Sequence, residues 1–132
     1  MAFKVINDFI STSYQDLIHG ALKDSRWMYY ENMDYNDDEV IKDNAPTHFQ
    51  FVNVPFSNGN IRDHELYYLL MPMIGEIVSK ELPGYMMTRS RAILQVPTSH
   101  DIDMFVPHVD FEGTGMISAI YYVNDSDGDT VL

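Results

Sequence analysis

Cysteine is absent from this 132-residue sequence, which removes disulfides, thiolate metal sites and a cysteine nucleophile from consideration. Any transition metal would have to be held by His, Asp or Glu. Basic residues are scarce: eight Lys and Arg stand against twenty Asp and Glu, a formal charge of −12. Such a balance repels a phosphate backbone, so nucleic acid is not an expected partner. No apolar run reaches the roughly 18 to 20 residues that a membrane helix requires. The opening Met1-Ala2-Phe3-Lys4-Val5 also lacks the basic-then-apolar order of a secretion signal. The expectation is a soluble, intracellular and cytoplasmic protein with no membrane partner. No Gly-rich phosphate loop and no Ser-His-Asp order stands out.

What is present is enough apolar material, 45% with 13% aromatic, for one packed core, and a single domain over 1–132 is expected. The acid is unevenly spread. Glu31, Asp34, Asp37, Asp38, Glu39 and Asp43 face only Lys42 between Glu31 and Asp43, the pattern of a solvated loop or, alternatively, of a metal or partner surface.

Phe3-Lys4-Val5-Ile6 reads as a short strand. Tyr14, Leu17, Ile18, Ala21 and Leu22 then fall at helical spacing within a helix from Ser13 to about Tyr30, which Ser11, Thr12 or Ser13 can cap, with Asp16 facing the unpaired amides of the first turn. A half-buried strand follows from His48 to Val54 and is ended by Pro55 and Ser57-Asn58-Gly59-Asn60. A second helix is expected from Ile61 to about Leu82, capped by Asn60. Its apolar face is Leu66, Leu69, Leu70, Met73, Ile74 and Ile77; Pro72 lies inside it and Pro83-Gly84 stops it.

After Gly84 the period shifts from near 3.6 to near 2, and three strands can be read: Thr88 to Val96, Met104 to Phe111 and Met116 to Val123. Helices followed by antiparallel strands give an α+β arrangement, with two amino-terminal helices against one outer face of a sheet or open barrel.

In the strand from Met104 to Phe111, alternation places His108 and Asp110 on one face with Met104 and Val106. Two potentially ionised groups there are costly to bury unpaired, and a divalent cation would pair them. A His-x-Asp pair is two-thirds of the facial triad that leaves open positions on non-haem Fe(II). The blander alternative is a neutral His hydrogen-bonded to a neighbouring carboxylate.

The run Pro107-His108-Val109-Asp110-Phe111, followed by Gly113 to Thr130 with its Tyr121-Tyr122-Val123-Asn124-Asp125 stretch, resembles the 2-oxoglutarate and Fe(II)-dependent oxygenases of the prolyl 4-hydroxylase type. In that family a His-x-Asp strand precedes an apolar strand ending in a similar Asn-Asp, then a Gly-x-Thr turn, matched here by Gly128-Asp129-Thr130. The likeness covers Arg89 to Thr130 and, loosely, Val5 to Ile10.

The resemblance implies His108 and Asp110 as iron ligands. It implies Fe(II) and 2-oxoglutarate as cofactors, a small-molecule or peptide substrate, and a double-stranded β-helix of jelly-roll, cupin-like form. The family's third ligand, a later His, and the Arg or Lys that pairs with the cosubstrate find no match, because residues 111–132 hold no His, Arg or Lys. The expectation is therefore the amino-terminal portion of such a domain: 1–84 as its helical part and 85–132 as the start of an incomplete β-helix. Bare sheet edges would then favour a homodimer or higher oligomer.

Arg89 and Arg91 share a strand face with Ile93 and Gln95. Arg91 could reach an anionic cosubstrate, as could Thr130 at the turn, while a salt bridge with the surplus acid is the alternative for the arginines. His19 and His64 are read as solvated helix residues, and His48 and His100 as possible further ligands. Asp125-x-Asp127-x-Asp129 is read as a turn, since Thr130 stands where a calcium loop needs Gly. Met71, Met73, Met86 and Met87 are read as adaptable core filling. The competing functional class is a non-catalytic jelly-roll binding or assembly module.

Overall fold

The computed structural model describes residues 3–30, 49–96 and 114–125. Among them are two helices, α1 (Thr12–Lys23) and α2 (His64–Lys80), and four strands, β1 (Met28–Tyr30), β2 (Gln50–Ser57), β3 (Asn60–Ile61) and β4 (Arg89–Gln95). The strands form one antiparallel sheet. The class is α+β, and three of the four strands come from before residue 84.

α1 begins where Ser11 Oγ accepts the Tyr14 backbone N–H at 3.3 Å, satisfying one of the donors a helix start leaves orphaned. With Ser11 as cap, Asp16 lies beyond the first turn, so the acidic first turn expected from the sequence is absent. The helix is also shorter than its expected reach to Tyr30. Asp24 N–H donates to Ala21 O and Ser25 Oγ to the same carbonyl, closing the last turn. The chain then enters β1, where Met28, Tyr29 and Tyr30 pair with Val52, Phe51 and Gln50. Cross-strand pairing of β-branched and aromatic residues outweighs the weak helix propensity of this stretch.

The expected strand at Phe3 to Ile6 does not form. Phe3 and Val5 are exposed, and Lys4 is tied by its ammonium to Glu81 at 2.5 Å. Alternation alone makes no strand without a partner to take its amides.

β2 is the organising strand, with β4 along one edge and β1, then β3, along the other. Pro55, expected to end it, lies fully buried inside it. The reason is a bulge: Asn53 pairs with Ala92 and Phe56 with Ser90, so one extra residue of β2 is accommodated between these pairs. A bulge is where a missing N–H is tolerated within a sheet. The Pro55 carbonyl is used as well, accepting from Arg62 N at 2.8 Å and Asp63 N at 3.3 Å. Asn58 and Gly59, at φ +49° and +81°, join β2 to β3 by the two-residue turn whose twist suits a hairpin.

Because Asn60 and Ile61 serve in β3, α2 starts later than expected and is capped by Asp63 rather than Asn60. Pro72 lies inside α2, which continues to Lys80; Glu81 N–H donates to Ile77 O, and Gly84 turns the chain away at φ +90°.

The core between the helices is Ile10, Ile18 and Met73, against which Tyr14, Leu22, Leu69, Leu70 and Ile77 pack. Leu17, assigned by spacing to the buried stripe, is exposed. Met86, expected in the core, is exposed as well. The Tyr14 hydroxyl donates to the Leu69 carbonyl, linking α1 to α2.

The segment 116–123, expected as a strand, joins no sheet among the described residues. It lays Tyr121 and Val123 on the helical core and leaves Met116, Ile117, Ile120 and Tyr122 exposed.

Candidate functional site

The sequence centred its site on His108 and Asp110, with Thr130 beyond them. These three residues, the alternative ligands His48 and His100, and the acidic run from Glu31 to Asp43 lie outside the described residues. So do the expected strand from Met104 to Phe111 and most of the Asp125 to Asp129 turn. What the structure defines is the framework that flanks them.

β4 carries Arg89 and Arg91, both half-buried, and leads at Gln95 toward residues 97–113. Its register with β2 pairs Val52 with Ile93 and Gln50 with Gln95. Alternation therefore puts Arg91 on the sheet face that holds Gln50 and Val52, both buried, together with Arg89. Arg91 lies opposite the bulge, between the Asn53–Ala92 and Phe56–Ser90 pairs. An irregularity of this kind re-aims side chains near it.

His19 and His64 are exposed, as the sequence implied. His64 opens α2 and has its ring 6.3 Å from that of Tyr68. Among the described residues no three His, Asp or Glu side chains converge in a way that could hold a metal ion.

Two arrangements escaped sequence reasoning. The first is a polar junction. Asn53, buried on β2, donates one Nδ2 proton to the Arg26 carbonyl at 3.0 Å and the other to Asp63 Oδ2 at 2.8 Å. Asp63 Oδ1 accepts the Leu66 N–H at 3.0 Å. The Asn53 amide, chiefly, and the Leu66 N–H hold the Asp63 carboxyl below its ordinary value of 3.8 against an opposing contribution from burial. Asp63 shows a helix-cap signature in sequence, but nothing local identifies Asn53 as its partner.

The second is an aromatic cluster: Tyr29 lies 5.6 Å from Phe49 and 5.8 Å from Phe51 between ring centroids. The alternation of Phe49 and Phe51 was visible, but its union with Tyr29 depends on the register of β1.

The Tyr121 phenol, in the stretch that carried the family resemblance, packs on the helices; burial pushes its pKa up, and Tyr14 adds to this. No family model, curated protein or solved structure matches the chain.

Proposed function

We propose that the chain is the amino-terminal part of an Fe(II) and 2-oxoglutarate-dependent oxygenase domain that hydroxylates an unactivated carbon of a small-molecule or peptide substrate. The observation that carries this reading is the His108-Val109-Asp110 spacing followed by the Tyr121 to Asp125 stretch. An α+β chain with two helices and an antiparallel sheet is compatible with the jelly-roll form that the resemblance implies.

The donor chemistry fits the metal. Imidazole and carboxylate are ligands of non-haem Fe(II), and a chain without cysteine offers no thiolate competitor. His108 and Asp110 would hold the iron. When bound with its cosubstrate, the iron supplies the oxygen-activating chemistry. The protein's own task is to orient the substrate, leave ligand positions open and exclude water. Arg91, on β4, is the residue we assign to an anionic carboxylate of the cosubstrate, with Thr130 as a further hydrogen-bonding group; a guanidinium suits a carboxylate because its planar donors can bind both oxygens.

The reading also includes association. Met116, Ile117, Ile120 and Tyr122 form an exposed apolar run of the kind that a second copy would cover. A non-catalytic assembly module is favoured over the oxygenase only by this same exposure.

The test is a Mn(II) titration of the full chain followed by electron paramagnetic resonance, Mn(II) standing in for Fe(II). Weak binding lost in both His108→Ala and Asp110→Ala supports the site, and an open reading frame continuing past Leu132 to a His and then an Arg or Lys supports the domain. Binding unchanged in both variants would reject the metal site and favour the assembly module.

A further inference from the structure

Asn58 is the one asparagine of the sequence that is followed by glycine, and the fold places the pair at the tip of the β2–β3 hairpin. Both residues are exposed. The Asn58 backbone is held on two sides: its N–H donates to Thr88 O at 2.9 Å, and its carbonyl accepts from Asn60 Nδ2 at 3.1 Å. Its side-chain amide has no hydrogen-bonding partner among the described residues. A Cβ built on Gly59 would meet no atom within 4 Å, so the link between the two residues is open to water.

A carboxamide one residue before glycine is an electrophile beside a nucleophile. The Gly59 nitrogen, deprotonated by hydroxide, bonds to Asn58 Cγ; the Cγ–Nδ2 bond then breaks and ammonia leaves, closing a five-membered imide. Water adds to either imide carbonyl and opens the ring, leaving aspartate or else isoaspartate, in which the main chain runs through Cβ. The balance is one water in and one ammonia out, with no change of oxidation state. Glycine favours the step because it has no Cβ to crowd its nitrogen. The fold opposes it. Asn58 and Gly59, at φ +49° and +81°, fit the type I′ turn, and the imide fixes ψ of Asn58 outside the left-handed range which that turn requires. Asn58 must therefore leave the turn before the ring can close. Little holds it there: β3 is two residues long, and exposed loop tips lie at the low end of the local opening free energies of a protein.

We propose that Asn58 is a site of spontaneous deamidation whose rate is set by opening of the β2–β3 hairpin, and whose isoaspartate product cannot re-form that hairpin in its register. A two-residue turn fixes the pairing of Ser57 with Asn60 and of Phe56 with Ile61, and an extra methylene in its backbone removes that match. The same pairing delivers the Arg62 and Asp63 N–H groups to Pro55 O, and Asp63 caps α2. The modification thus reaches from an exposed turn to the start of a helix. None of this depends on the oxygenase reading.

The test incubates the full chain at mildly alkaline pH, folded and in urea, and follows each asparagine by peptide mass spectrometry, with electron-transfer fragmentation to separate isoaspartate from aspartate. Asn58 is expected to convert before the other asparagines in urea. In the folded chain it should convert roughly tenfold more slowly, in proportion to the time the hairpin spends open. Ile61→Gly weakens β3 without touching the reacting atoms and should bring the folded rate toward the rate in urea, with circular dichroism showing that the variant keeps its helices. Gly59→Ala should slow the conversion in urea, where folding of the variant does not matter. Hydrogen exchange should find the Arg62 and Asp63 amides less protected in the isoaspartate form than in the parent chain. Equal rates folded and in urea, a folded chain that stays unconverted, or a folded rate unmoved by Ile61→Gly would each overturn the proposal. So would an undiminished rate in Gly59→Ala, or unchanged protection in the isoaspartate form.

Discussion

Asn53 and Asp63 are joined by a 2.8 Å hydrogen bond that brings together three parts of the chain. Asn53 also holds the Arg26 carbonyl just before β1, and Asp63 also caps α2 through Leu66. One buried amide thus sets where α2 starts relative to the sheet. Asn53→Ala should cost roughly 2 to 3 kcal/mol, because it withdraws a hydrogen bond from a carboxylate and leaves a backbone acceptor without its donor. Asp63→Ala should cost about 1 kcal/mol from the cap alone. In urea unfolding the double variant should lose less than the sum of the two; strict additivity would show that the residues act independently.

The same carboxylate gives the fold an acid sensitivity. Asp63 titrates below 3.8 in the folded chain, chiefly through the Asn53 amide. Its pKa is lower folded than unfolded, so its contribution is complete above the unfolded value and is lost as pH falls through the folded one. Thermal melts between pH 6 and pH 2.5 should show Asp63→Asn losing less stability on acidification than the parent chain. Parallel losses would place the acid sensitivity elsewhere.

The hairpin depends on Gly59, whose φ of +81° is strained for any side chain with a Cβ, although no neighbouring atom would obstruct one. Gly59→Val should destabilise by about 1 kcal/mol or more through backbone strain alone. Gly75, where an added Cβ likewise meets nothing and no positive φ is imposed, should gain a few tenths of a kcal/mol or more as Gly75→Ala from its helix interior. Chemical denaturation of the two variants should move in opposite directions.

The 132-residue chain should not decarboxylate 2-oxoglutarate faster than free iron does, because no His follows Asp110 to serve as the third iron ligand of the proposed site. Release of labelled carbon dioxide measures this. Turnover that is lost in Arg91→Gln would show that the site works without a later His and that Arg91 anchors the carboxylate.

Size-exclusion chromatography with light scattering is expected to give a homodimer or higher oligomer that Ile120→Glu weakens, since a charge there would be buried against the second copy. A monomer at tens of micromolar would show that the exposed run from Met116 to Tyr122 needs no such cover.

Helix and strand texture were legible where a local pattern had a local cause. The stripe through Ile18, the face of Leu66, Leu69, Leu70, Met73 and Ile77, the Asn58-Gly59 turn and the strand at β4 all follow from spacing or backbone preference acting over a few residues. The His108 and Asp110 spacing, with the Tyr121 to Asp125 stretch after it, is likewise a property of the chain itself, and it supports the proposed chemistry. Pairing between distant segments decided the rest. Trp27 to Tyr30 left the helical pattern because β2 supplied hydrogen-bonding partners to Met28, Tyr29 and Tyr30. Phe3 to Ile6 stayed outside the sheet because no strand among the described residues supplied them. Pro55 could remain within β2 because the bulge opposite β4 removed the need for its N–H. Asn53, an unremarked polar residue in a strand, became the link between helix and sheet because folding placed a carboxylate and a carbonyl within reach of its two amide protons. The difference is one of range: propensity and alternation act along neighbouring residues, whereas register, bulges and buried polar pairs exist only once segments far apart in the chain have met.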